Sequence, residues 1–275
     1  MSTVDRNAGI VGRARESIAG NEMLLKGLRM ALAAIAFLVV WQVVAMTFFD
    51  PSMLPTPVQV VEFLPSIFQP RGAEAHGALF HLYSSLYRVV ISTVIGMTIA
   101  IVLGVLMSVN DPLEDAFSAW LPFWMTIPTV VVVLLSMILF KFSNTSVIVA
   151  VVFAATPYAT VNMWKGAQNV DGDLLEMAHT VGAGGAAIWK DIYIPSILPS
   201  LFGSLRYLLS MVWKIVVLTE TFGMDNGMGS QFRFWYQQGN ITALLAYLVL
   251  FLIVMFAIEY LLLYPVESYL FRWRD

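Results

Sequence analysis

Long apolar runs separated by isolated charges dominate this chain. There are 20 uncharged residues between Arg29 and Asp50, 22 between Arg88 and Asp111, 25 between Asp115 and Lys141, 23 between Lys141 and Lys165, and 25 between Arg233 and Glu259. Each run reaches the ~20 residues that a helix needs to cross a ~30 Å hydrocarbon layer. A further apolar segment from Ile197 to Phe222 is interrupted by Arg206, Lys214 and Glu220. The pattern predicts six spans, at about 30–49, 83–109, 115–140, 144–167, 197–222 and 241–263. The predicted fold is an all-α polytopic membrane protein. A tail at 1–29 precedes the membrane domain at 30–265, and a tail at 266–275 follows it.

The longest patterned polar stretch, 168–195, lies between the fourth and fifth spans. There Asp171-Gly172-Asp173 precedes Leu174, Leu175, Ala178 and Val181, an acidic cap followed by one helical stripe. Gly182 ends that piece, and Gly184-Gly185 allow a turn with positive φ. Ile188, Trp189 and Ile192 form a second stripe with Lys190 and Asp191 facing away, and Pro195 and Pro199 stop it and open the next span. Two short helices with a glycine corner are expected.

Composition agrees with a membrane chain. Hydrophobic residues make up 59%, charged residues 12%, and the mean hydropathy is +0.78; soluble domains carry about 25% charged residues. A net charge of −3 without a basic cluster excludes a nucleic-acid groove. The absence of cysteine removes disulfides, thiolate metal sites and thiol nucleophiles, and His76, His81 and His179 lack ligand-like spacing. A 29-residue polar tail before a full-length first span predicts no cleavable signal. Arg6, Arg13, Arg15, Lys26, Arg29, Lys165, Lys190, Arg272 and Arg274 fall on one side; Arg71, Lys141 and Arg233 fall on the other, with Arg88 near its edge. This excess predicts cytoplasmic termini and a cytoplasmic 168–195 loop.

The loop spacing is specific. Glu176-x-Ala178, three residues, Gly182, nine residues, then Ile192-x-Ile194-Pro195 resembles the EAA motif of permease subunits of ATP-binding-cassette importers. Met177 stands at the first alanine and Ile194 at the leucine. The segments "LPTPVQVVEFL" (54–64), "SSLYRVVISTVIGMTIAIVLGVLMS" (84–108) and "TETFGMDNGMGSQF" (219–232) are similar to the nitrate/sulfonate/taurine branch of that family. In the third span Ile127-Pro128 is kept, while the further prolines of that branch are threonine and valine here. The resemblance implies a type I importer fold with a coupling helix that docks on an ATPase. Glu176, Met177, Ala178, Gly182, Ile192 and Pro195 would form the coupling segment. It also implies two ATPase subunits, an external solute-binding protein, a second permease copy, and a bacterial or archaeal cytoplasmic membrane. The chain has no G-x-x-x-x-G-K-[ST], so no cofactor is expected on it; ATP and magnesium would belong to the partner. It is expected to be a transport subunit and not an enzyme.

Ionisable groups at membrane depth cost at least ~2.5 kcal/mol and need a cavity, a partner or an interface. Lys214 is either an anion contact in the translocation path or the partner of a carboxylate, such as Glu220 of a second copy. Arg206 is expected to snorkel inward and Glu220 to sit near the outer end. With Trp213 and Pro128 these complete the pathway candidates. Gly96, Ala100 and Gly104 suit close helix packing. The expected cargo is a small organic or inorganic anion such as a sulfonate, taurine or nitrate; pyrimidine-type precursors and aromatic acids stay open. A secondary transporter or channel with a Lys214–Glu220 ion relay is the alternative.

Overall fold

The computed structural model describes residues 3–70 and 76–270. Of the cations behind the expected orientation, Arg71, Arg272 and Arg274 lie outside the described residues, as do the side chains of Arg6, Arg13, Arg15 and Lys26. The tail expected at 266–275 is described only as far as 270. All described elements are helical, and the chain divides into two units, Met1–Phe63 and Leu64–Asp275.

In the first unit, α1 (Thr3–Phe48) continues through the polar tail into an apolar stretch at Gly27–Phe48. Asp50 then turns the chain by accepting the Ser52 amide at 2.9 Å and the Ser52 hydroxyl at 2.7 Å. These bonds hold the Asp50 carboxyl below its ordinary range. At the start of α2 (Pro57–Ile67), Thr56 and Gln59 exchange side-chain and backbone hydrogen bonds as a capping box.

The second unit is built around α3 (Ala78–Val109), α7 (Asn144–Gln168) and α10 (Ile194–Gly223). Their facing sides supply the core, including Met97, Ala100, Val151, Ala159, Leu208 and Val216. Close approach depends on small residues. A Cβ at Gly104 would lie 2.7 Å from the Met163 Cβ and 2.8 Å from the Trp164 amide nitrogen. Short α4 (Asp111–Ser118) is capped by Asn110, which accepts the Leu113 amide at 3.2 Å. Further on, α11 (Met228–Gln237) and α12 (Ile241–Ala257) follow α10, and a π-helical turn at Ile258–Leu263 leads into α13 (Tyr264–Leu270).

Among the described residues, five stretches are long and apolar enough to cross a membrane, or six when one bent pair counts as a span. That pair corrects the straight helix expected at 115–140. The arm holding α4 and α5 (Trp120–Met125) turns by 93° into α6 (Thr129–Leu139). Pro128 explains the break, since it has no N–H for the carbonyl four residues back and pushes Ile127 out of helical geometry. It serves as the N-cap of α6, with φ −60° and ψ 121°.

A second correction concerns Pro195 and Pro199. They do not separate the polar hairpin from the fifth span, because helix continues from Gly185 to Gly223. The connection is α9 (Gly185–Ile188) followed by a π-helical turn at Trp189–Tyr193, in which the Ile194 amide donates to the Trp189 carbonyl. The wider π turn shifts the carbonyl that the Pro195 ring would otherwise strike.

Gly104→Ala is expected to lower detergent-solubilised stability by about 1–3 kcal/mol through overpacking. Gly203→Ala, in a helix interior where an added Cβ meets nothing within 4 Å, should leave the thermal midpoint unchanged or raise it. Thermal unfolding of the two variants checks this.

Candidate functional site

Two constellations occupy opposite ends of α10. At its N-terminal end lies the hairpin of α8 (Gly172–Thr180) and α9. Asp171 caps α8 by accepting the Asp173 amide at 2.9 Å. At the other end of α8 the Gly182 amide donates to the His179 carbonyl at 3.0 Å, and the Ala183 amide to the Ala178 carbonyl at 2.9 Å. This is a Schellman closure, and it requires the left-handed backbone that Gly182 adopts at φ +75°. The positive φ therefore belongs to Gly182 and not to the expected Gly184-Gly185; Gly184, at φ −71°, caps α9.

The expected apolar stripe of α8 faces one groove, which Leu174, Ala178 and Val181 all line. Ala178 is buried, as is Ile188 of α9. Leu174, Met177 and Val181, beside Ala178, are 42%, 61% and 77% exposed. With Ile192, Pro195 and Asp191 they line an open, mostly apolar groove of about 500 Å³. Glu176 is exposed, and its carbonyl accepts the Thr180 hydroxyl at 2.8 Å. Trp189 stacks on Tyr193, with ring centroids 4.6 Å apart.

At the far end of α10 a charged cluster is sealed inside the chain. The Arg88 guanidinium meets the Glu220 carboxylate at 2.6 Å, and the two side chains are 1% and 0% exposed. Glu220 also accepts the Ser85 hydroxyl at 2.8 Å and the Gly229 amide at 3.0 Å. Arg88 donates to the Asn144 side chain at 2.9 Å, to the Asn226 carbonyl at 2.9 Å, and to the Asn226 side chain. The Gly227 amide donates to His81 Nδ1 at 3.3 Å, and the Gln231 amide group lies 3.1 Å from His81 Nε2. Gly227, at φ +109°, passes so close to Glu220 that a Cβ there would fall on the carboxylate. The cluster thus fastens the segment between α10 and α11 to α3. Arg233 adds a second tie by donating to the Met224 carbonyl at 2.9 Å.

Glu220 therefore does not face a pathway, because its charge is matched by Arg88 within the same chain. Arg88, read from the sequence as an edge cation, is its buried partner. The available signal was two lone opposite charges near the same end of two apolar spans. Trp213 is also buried, set edge-on to Phe251 at 5.2 Å in the core. Arg206 bridges Glu259 at 2.7 Å and Glu267 at 2.5 Å, tying α10 to the final helical segment. Pro128 sits at the 93° bend. Lys214 is the exception: it is exposed and has no hydrogen bond or ion pair among the described residues. It shares an exposed face of α10 with Gly203, Tyr207 and Ser210.

The cluster satisfies each ion with several partners, and removing one ion of such a pair leaves the other buried and uncompensated. Residues 92–268 match the family described as binding-protein-dependent transport system inner membrane component. The chain is 26% identical to the nitrate import permease protein of a Synechocystis species, covering 82% of each chain. It is 26% identical to the formylaminopyrimidine transport permease protein of Halalkalibacterium halodurans, covering 74% of this chain and 79% of that one. It is 24% identical to the taurine transport system permease protein of Escherichia coli, covering 71% of each. Among solved structures, the MetNI methionine ABC transporter in inward-facing form aligns with a TM-score of 0.56 at 22% identity. That alignment covers 66% of this chain and 90% of the other. An amino acid ABC transporter with histidines aligns at 0.51 and 16% identity, covering 74% and 95%. The fold is that of type I importer permeases.

Arg88→Met and Glu220→Leu are each expected to cost about 3–5 kcal/mol, and the double variant clearly less than their sum. A double-mutant cycle on thermal or chemical unfolding measures that coupling.

Proposed function

We propose that this chain, which belongs to the family of binding-protein-dependent transport system inner membrane components, carries a small anion across a cytoplasmic membrane as the permease of an ATP-driven importer. Two ATPase subunits bind ATP and magnesium and dock on the α8–α9 hairpin. A second permease copy completes the pathway, and an external binding protein delivers the solute. Both termini and the hairpin face the cytoplasm.

The observation that carries this reading is the hairpin itself. Leu174, Met177 and Val181 form an apolar face on the outside of a segment closed by Gly182 and joined by unbroken helix to α10. A solvated connector gains nothing from exposed apolar side chains held in one geometry. A surface that transmits force to a partner needs both the apolar contact and the rigid joint. Glu176 contributes negative charge beside that face, and Ile192 and Pro195 form the floor of the groove. The hairpin moves α10 as the ATPases close, and α10 carries the motion into the membrane.

Lys214 supports the anion reading. An exposed ammonium at membrane depth faces a counter-charge or a polar path, and Gly203, Tyr207 and Ser210 on the same face are too polar and too small for a lipid seam. Nitrate and taurine, named for two of the relatives, both present an anionic group, taurine as a zwitterionic sulfonate, and formylaminopyrimidine remains a cargo to compare. A Lys214–Glu220 relay is disfavoured because Glu220 is enclosed by Arg88, Ser85 and Gly229. The two residues also lie about 120° apart around α10 by helical geometry.

Gly182→Val is expected to insert into the membrane normally yet lose most ATPase stimulation and uptake. A β-branched residue in the left-handed region is strained by roughly 1–2 kcal/mol or more, while Gly182→Asn should retain substantial activity. A Cβ at Gly182 meets nothing within 4 Å, so backbone strain alone separates the two variants. Equal activity of both, measured as ATP hydrolysis and uptake in proteoliposomes, would overturn the role of the corner. Lys214→Met should reduce anion uptake by about tenfold or more with the ATPase still bound, the loss expected for one charged contact; undiminished uptake would remove Lys214 from the path.

A further inference from the structure

The 93° break in the third apolar segment is held by a side chain from another helix. In a continuous helix the Met125 carbonyl would receive the Thr129 amide, but the turn at Ile127–Pro128 carries Thr129 away into α6. Neighbouring carbonyls at the end of α5 find local donors. Phe123 receives the Thr126 amide at 3.1 Å and the Thr126 hydroxyl at 2.7 Å, and Trp124 receives the Ile127 amide at 3.2 Å. Met125 receives the hydroxyl of Tyr158, from α7, at 3.1 Å.

Tyr158 has a second attachment. Its ring lies 6.0 Å from that of Tyr207 on α10, inclined at 41°. Tyr207 is on the helix that runs unbroken to the α8–α9 hairpin, and on the same exposed face as Lys214. One side chain therefore contacts the broken helix through its hydroxyl and α10 through its ring. If the hydroxyl leaves, the carbonyl loses this donor, so the bond lasts only while the bend stays in register with Tyr158.

We propose that Tyr158 is a positioning residue for transport: it sets the angle of the broken helix and ties that angle to the position of α10. The inference rests on the importer reading for the source of the motion, while the latch itself rests on the Met125–Tyr158–Tyr207 geometry. A shift of α10 moves Tyr207 and with it the ring of Tyr158, so the bend at Met125–Pro128 follows the hairpin. The bent arm would then open or close beside the Lys214 face in step with the ATPases.

Tyr158→Phe removes the hydroxyl and keeps the ring against Tyr207. The chain has no cysteine, so it can be spin-labelled at introduced Ala119→Cys and Leu139→Cys, both at exposed positions, before the ATPase is added; dilution with unlabelled copies leaves the distance across one bend. The measurement is made on the permease with its ATPase in lipid nanodiscs, without nucleotide and with ATP. Without nucleotide, Tyr158→Phe is expected to broaden or shift the distance distribution; an unchanged distribution overturns the latch. With ATP, the intact chain is expected to change its distance and Tyr158→Phe to lose that change. The solute moved per ATP hydrolysed should then fall about fivefold or more, the scale of one lost hydrogen bond. A merely structural role would lower uptake and hydrolysis together and leave their ratio constant, which also counts against the proposal. If Tyr158→Phe alters the resting distance while the intact chain shows no response to ATP, the importer reading fails and the latch stands.

Discussion

The hydrocarbon interior of a bilayer offers no water to an unpaired carbonyl or amide, so a helix broken there must find its missing partners inside the protein. This chain breaks or bends its helices at several points, and at three of them a side chain from another helix takes a carbonyl that the break or turn exposes. Tyr158 takes the Met125 carbonyl at the bend of the third segment. Arg233 takes the Met224 carbonyl beyond the end of α10. Arg88 takes the Asn226 carbonyl in the segment that follows, while also holding Glu220. At the hairpin the backbone itself closes the helix end, because Gly182 reaches the left-handed conformation without strain. These substitutions tie α3, α5, α7 and α11 to one another and to α10.

The result is a helix anchored at its far end and carrying an exposed hairpin at its near end. The far anchor is unusually complete: two opposite ions, a serine hydroxyl and a glycine amide are buried together, and two less buried asparagines complete the bonding of Arg88. Such a cluster is weak evidence for stability, since a well-packed apolar replacement of both ions would also fold. Its effect is better described as fixing one arrangement of the segment between α10 and α11. The near end is held less tightly, with Arg206 bridging two half-exposed carboxylates on the last helical segment. That asymmetry suits the proposed role, since a hairpin that moves with a partner has to be looser at the end where the partner acts.

Much of this could be read from the sequence. Charge-free runs located the apolar helices, because crossing a bilayer demands length and composition and little else. The spacing from Glu176 to Pro195 identified the hairpin, and the four-residue spacing of Gly96, Ala100 and Gly104 identified close helix packing. The features that escaped notice depend on the third dimension. Hydropathy counts Pro128 as one residue in a long apolar run and cannot register a 93° turn. Continuous helix through Pro195 needed a π turn, which leaves no compositional trace. The partnership of Arg88 with Glu220 spans 132 positions, and neither residue alone distinguishes an edge cation or a pathway acid from a buried pair. Lys214 was recognised as exceptional, and the structure leaves it so.

The most direct test is solute accumulation in proteoliposomes holding this chain and its ATPase, with ATP supplied on the hairpin side and the binding protein on the other. The account predicts uptake of an anion that stops when either ATP or the binding protein is withheld, and that persists when ion gradients are collapsed. Uptake by the chain alone, driven by an ion gradient and indifferent to ATP, would contradict it.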